Sequence, residues 1–154
     1  MQLAEILAPE GVRVVGSLTS KKRLLQELAE ISAGLTGVGA GTLFDALQER
    51  ESLGPTGVGN GVALPHARVA GLGRVFGVFV RLEKPLAFDA VDRQPVDLVF
   101  ALFAPEESGV DHLKALALVS RKLRTATVCT KLRATDDPAT LYAVLMEGEA
   151  TQAA

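Results

Sequence analysis

Val96-Asp97-Leu98-Val99-Phe100-Ala101-Leu102-Phe103 decides the fold class. It is nearly continuous in apolar residues, its one charge stands near the start, and Pro95 precedes it. A short apolar run with such borders reads as a strong strand. Upstream, Arg74 to Leu82 carries Val75, Phe76, Val78, Phe79 and Val80, β-branched and aromatic enough for a core strand. Between the two, Lys84 to Phe88 is an extended piece and Asp89 to Pro95 a turn. On the far side, Pro105 to Gly109 is a polar loop. Leu113, Leu116, Ala117, Val119, Ser120 and Leu123 then recur at helical spacing, with Asp111 placed to cap that helix.

Further outward the pattern stays mixed. Val12 to Val15 is a short, weak strand. Thr19 or Ser20 caps a helix starting at Lys21, whose Leu24, Leu25, Leu28, Ile31 and Leu35 share one face. Lys21-Lys22-Arg23 is then the solvated first turn of that helix. After a glycine break, a second helix covers Gly41 to Arg50 with Leu43, Phe44 and Leu47 inward. Short helices follow from about Ala126 to Arg133 and after Asp136-Asp137-Pro138, where an acid before proline suits a helix start. The sum is a single α/β domain over residues 1–147, a mixed sheet of four or five strands flanked by helices. Residues 148–154 are expected to fray. Strand order does not follow from the sequence.

Composition narrows the function. The chain has 154 residues, 48% of them hydrophobic and 22% charged, which suits one globular domain. Sixteen basic residues face eighteen acidic ones, for a net charge of -2, so the basic excess of a nucleic-acid binder is missing. The single cysteine, Cys129, allows no intrachain disulfide and lies in an apolar stretch as a small hydrophobe. No apolar run is long enough for membrane insertion, and the N-terminus lacks a signal-peptide pattern. These readings place the protein in the cytoplasm.

Candidate chemistry gathers at Gly54 to His66. Gly54, Pro55, Gly57, Gly59 and Gly61 crowd together, which excludes a regular helix and gives a loop able to approach a ligand closely. A short strand, Val62 to Leu64, then ends at Pro65-His66. The chain has two histidines, His66 and His112, each at the border of an element. A neutral imidazole is a nucleophile near pH 7, and a backbone acceptor on one nitrogen fixes which nitrogen is free. Thr56, Gly57, Gly59, Asn60 and Gly61 could offer backbone donors to a phosphoryl group, and Arg50 or Arg68 a guanidinium fork. Glu49 and Glu51 flank Arg50 as solvated carboxylates, either of which could orient it. The glycines match neither a Walker A loop nor a dinucleotide fingerprint. A metal site from the histidines with Asp111 or Asp89 lacks paired ligand spacing, and a serine triad lacks a nucleophile elbow.

The string from Arg50-Glu51-Ser52-Leu53-Gly54 through Leu64-Pro65-His66-Ala67-Arg68 closely resembles the active-site segment of phosphotransferase-system enzyme IIA domains of the fructose/mannitol class, nearest to the nitrogen-regulatory branch. The likeness continues through Phe88-Asp89-Ala90 and Gln94-Pro95-Val96-Asp97-Leu98 to His112-Leu113, spanning roughly Leu3 to Met146. The resemblance implies a phosphoacceptor at His66, through Nε2, a supporting histidine at His112, and an active-site arginine at Arg50. It implies an HPr-type phosphocarrier as donor, no cofactor and no metal. Pro55 stands where the family usually has serine, and Arg68 where a small residue or a glycine-lysine pair is common. The expected function is a phosphohistidine relay that regulates targets such as transporters or kinases, since the chain carries no sugar-transport part. The alternatives are a transport component passing phosphate to a IIB protein, or a docking module without phosphorylation. Transfer between two histidines needs a shallow site with an apolar rim, for which Val58, Val62, Leu64, Phe79 and Phe88 are candidates.

Overall fold

The computed structural model describes residues 1–148. The expected fraying of the tail therefore falls, apart from Gly148, outside the described residues. Six strands make one mixed sheet: β1 (Val12–Val15), β2 (Gly57–Gly59), β3 (Val62–Ala63), β4 (His66–Val69), β5 (Phe76–Leu86) and β6 (Val96–Pro105). The strand order is β1-β5-β6-β3-β2, with β4 also paired to β6. Two of the six arise where one strand and a loop were expected. The glycine segment folds as a hairpin, β2 against β3, with Gly57 opposite Ala63. Leu64-Pro65 then interrupts what would be one strand. Thus β3 and β4 lie end to end along the same side of β6, both parallel to it. His66 therefore opens a strand instead of closing one, and stands opposite Leu102.

The apolar run of β6 is explained by burial on both faces. Val96, Val99, Ala101 and Phe103 enter one core with α1 (Lys21–Thr36) and α2 (Ala40–Leu53). Leu98, Phe100, Leu102 and Ala104 enter another with α3 (Val110–Arg124), α4 (Ala126–Arg133) and α5 (Pro138–Leu145). The result is a three-layer α/β/α domain.

The helix borders follow local chemistry. Ser20 caps α1, its hydroxyl accepting from the Arg23 amide at 3.1 Å, and Gly37 ends it at φ 79°. Asp137 caps α5 by accepting from the Thr140 amide. Helix α2 runs three residues past the expected end at Arg50. Helix α3 departs in two ways. Gly109, not Asp111, holds the N-cap position, and the buried face is His112, Ala115, Val119 and Leu123, with Leu113 turned outward at 64% exposure.

Candidate functional site

His66 leads strand β4 and faces an open cleft of about 550 Å³ lined by Arg50, Leu53, His66, Arg68, Glu106 and His112 among others. The rings of His66 and His112 meet edge-on, with centroids 5.5 Å apart. Strand β4 and the first turn of α3 bring together two histidines 46 positions apart in sequence.

Nδ1 of His66 lies 2.8 Å from the Leu64 carbonyl oxygen. A carbonyl only accepts, so Nδ1 carries the proton and Nε2 of the neutral ring keeps its lone pair. Burial pushes the His66 pKa below its ordinary value. The Leu64 carbonyl opposes that fall, the Arg50 guanidinium adds to it, and Glu51 opposes it in turn. His112 is pushed down to about 4, by burial first, then by His66 and Arg68. At 6% exposure it is a buried polar residue although it stands in the first turn of α3. Its Nε2 has no hydrogen-bond partner among the described residues. Such an orphan costs on the order of 1–3 kcal/mol and is a common mark of a working site. Near neutral pH the cleft thus holds two neutral imidazoles beside two permanent cations.

The two arginines are held differently. Arg50, in the last turn of α2, donates from Nη1 to the Gly54 carbonyl at 2.9 Å. Arg68 donates from Nη1 to the Glu106 carbonyl and the Ser108 hydroxyl, both at 3.2 Å, and from Nη2 to the Gly109 carbonyl at 3.5 Å. It thereby ties β4 to the loop that launches α3.

The expected phosphate loop is elsewhere. Thr56, Gly57, Gly59, Asn60 and Gly61 do not line the cleft. A Cβ at Gly57 would stand 2.8 Å from the Ala90 Cα, and one at Gly61 2.4 Å from Arg133 Nη2. The Asn60 amide donates to Asp92 at 2.9 Å, and its carbonyl accepts from Arg133 at 2.7 Å. The glycines admit close approach, but what approaches is the protein itself. The expected rim is also mostly core: Phe79 and Phe88 are fully buried, Val62 and Leu64 nearly so, and only Val58 is exposed. Leu53, at 80% exposure, is the large apolar side chain that the cleft presents.

Two residues read as solvated turn out to be internal. The Glu51 side chain is 5% exposed and pairs with Lys21 at 2.7 Å. Lys21 Nζ also sits 4.6 Å from the centre of the Phe88 ring. Glu51 accepts from the Thr56 amide at 3.3 Å and from the Thr56 hydroxyl. The only signal in sequence was the step from Arg50 to Glu51 at a helix end, which gives no direction for either side chain. Among the described residues, no cluster of three or more His, Cys, Asp or Glu side chains could hold a metal ion, and no helix is long and apolar enough to cross a membrane.

Residues 5–148 match the family model of the phosphoenolpyruvate-dependent sugar phosphotransferase system, EIIA 2. A nitrogen regulatory protein of Bradyrhizobium diazoefficiens is 47% identical over 153 residues, covering 99% of this chain and all of that one. A nitrogen regulatory protein of Escherichia coli is 41% identical, covering 98% and 93%. The crystal structure of nitrogen regulatory protein IIA-Ntr from Neisseria meningitidis superposes with a TM-score of 0.86 at 34% identity, covering 93% of this chain and 98% of that one. IIA mannitol from Escherichia coli shares the fold at a TM-score of 0.75 and 19% identity, covering 90% and 97%.

Proposed function

This chain belongs to the EIIA 2 family of the phosphoenolpyruvate-dependent sugar phosphotransferase system, and from that premise we propose that His66 is the phosphoacceptor of a regulatory relay charged by an HPr-type phosphocarrier. The observation that carries the proposal is the Nδ1 contact to Leu64, which leaves Nε2 unprotonated in a cleft shared with His112 and Arg50. In the transfer step the donor's phosphohistidine N–P bond breaks and its electron pair returns to the donor nitrogen. The His66 Nε2 lone pair forms the new N–P bond. The proton stays on Nδ1 throughout, donated in a hydrogen bond to the Leu64 carbonyl oxygen. His66 brings no proton to expel, so the cleft needs no general base. It needs in-line approach and compensation of phosphoryl charge. Arg50 supplies a fixed cation, and His112 has an unused Nε2 to turn toward a phosphoryl oxygen.

A regulatory output is favoured by relatives that match along nearly their whole length and are named nitrogen regulatory proteins. Phosphorylation adds about −1.5 to −2 charge at neutral pH. Placed beside Leu53, that charge opposes any partner docking through an apolar patch and so switches binding to targets such as transporters or kinases. Relay from such a donor sets the reaction in the cytoplasm. The test is incubation with phosphoenolpyruvate, enzyme I and an HPr-type protein. The expected result is one phosphoryl group on His66, lost in His66→Ala. Label persisting on another residue of that variant refutes the assignment. Efficient onward transfer to a fructose- or mannitol-type IIB protein would instead make the chain a transport component.

A further inference from the structure

We propose that Glu51 is a positioning residue for His66: gripped by Lys21, it holds the base of the β2–β3 hairpin so that the Leu64 carbonyl keeps the imidazole proton on Nδ1. This deepens the reading of His66 as phosphoacceptor and rests on it.

The connection can be followed bond by bond. Lys21 at the start of α1 meets the Glu51 carboxylate at 2.7 Å. That carboxylate accepts from both the amide and the hydroxyl of Thr56. The Thr56 carbonyl accepts from the Leu64 amide at 2.9 Å, closing the hairpin. The Leu64 carbonyl accepts from His66 Nδ1 at 2.8 Å. On the opposite side the Pro65 carbonyl accepts from the Leu102 amide at 2.9 Å. The Leu64-Pro65 step is therefore pinned between β6 and the Glu51 carboxylate, and its carbonyl has little freedom to leave the imidazole.

The carboxylate suits this task because it is withdrawn from water. A solvated glutamate samples many rotamers, whereas one paired on three sides keeps a single geometry. Lys21 is fixed in turn by the Phe88 ring face beneath it and by Asp89 at 3.9 Å. Glu51 also lies close enough to stabilise positive charge on the His66 ring. That charge develops when Nε2 takes the phosphoryl group while Nδ1 keeps its proton. Thr56 thus has a role other than phosphate contact: it transmits the carboxylate's position to the strand that carries the acceptor.

Glu51→Gln keeps the volume and removes the charge, and Thr56→Val removes only the hydroxyl. With two histidines in the chain, long-range proton–nitrogen NMR on the unphosphorylated protein at pH 8 reads the His66 tautomer directly. The natural protein should show the Nδ1–H form. In Glu51→Gln the ratio of Nδ1–H to Nε2–H should fall about fivefold. Transfer from the HPr-type donor should slow by about tenfold with KM for the donor unchanged. Thr56→Val should move both readouts in the same direction by less. If Glu51→Gln fails to fold, the charge-free pair Lys21→Met with Glu51→Gln takes its place. A folded variant that keeps the Nδ1–H tautomer undiminished overturns the proposal, as does slowed transfer without a tautomer change. Absence of phosphorylation on His66 in the natural protein would defeat the functional reading alone, because the tautomer is read without phosphate.

Discussion

His112 makes the stability of this domain depend on pH in a way that one substitution should remove. The unfolded chain takes a proton on this residue near pH 6.5; the folded chain takes it only near pH 4. Between those values the unfolded state binds more protons, so His112 lowers stability progressively as pH falls. The loss is absent above about pH 6.5 and complete below about pH 4. At about 1.4 kcal/mol for each tenfold step in proton affinity, its ceiling is about 3 kcal/mol, and about 2 kcal/mol is reached by pH 5. His112→Leu removes the titration and the unpartnered Nε2 together. Urea unfolding of both proteins at pH 7.5 and pH 5.0 isolates the effect, because carboxylates elsewhere titrate in both. The natural protein should lose about 1 M more in urea midpoint than the variant over that interval. His66 titrates in the same direction, and it does so in both proteins, so the difference between them belongs to His112. Equal losses in the two proteins would refute the burial argument.

Two further substitutions test the frame around the site. Gly77→Ala would place a Cβ 2.6 Å from the Phe100 ring and 3.3 Å from the Ile6 carbonyl; thermal unfolding should show a loss of about 1–3 kcal/mol, and a stable variant would mean that Phe100 moves freely. Arg68→Lys keeps the charge but loses the fork that spans Glu106, Ser108 and Gly109, so hydrogen exchange at Asp111, whose amide donates to the Ser108 carbonyl, should accelerate by about fivefold or more; unchanged exchange would show that Arg68 does not hold that loop.

The elements were readable where the signal is local. Ser20 and Asp137 announce helix starts through side chains that bond their own neighbours. The apolar density of Val96 to Phe103 announces a central strand, because both of its faces are covered. Signals that depend on a distant partner were not readable. Helix α3 offers two interleaved stripes, one through Leu113 and Leu116 and one through His112, Ala115 and Val119. Periodicity supports both, and only the position of the sheet selects the second. The glycines of the hairpin declare that something comes close, but Ala90, Asp92 and Arg133 arrive from 33 to 72 positions further along the chain. The candidate residues His66, His112 and Arg50 line one cleft, whereas Thr56, Gly57, Gly59, Asn60 and Gly61 lie outside it, packed against the rest of the protein.

Arg50 and Arg68 show the same division at a single pair of residues. In sequence both are guanidinium groups near His66, and nothing separates them. In the fold each spends donors on backbone carbonyls, but at different reach. Arg50 bonds one carbonyl four residues ahead on its own connection, so its hold is local and much of its fork stays uncommitted. Arg68 bonds acceptors 38 to 41 residues away, on the segment that leads into His112. Turning Arg68 toward a phosphoryl group would release that segment and disturb the 5.5 Å contact between the two rings. Turning Arg50 would release one carbonyl at a helix end. A phosphate ligand must be able to reorient at small structural cost, and by that measure the proposed phosphoryl contact falls to Arg50, with Arg68 as the support.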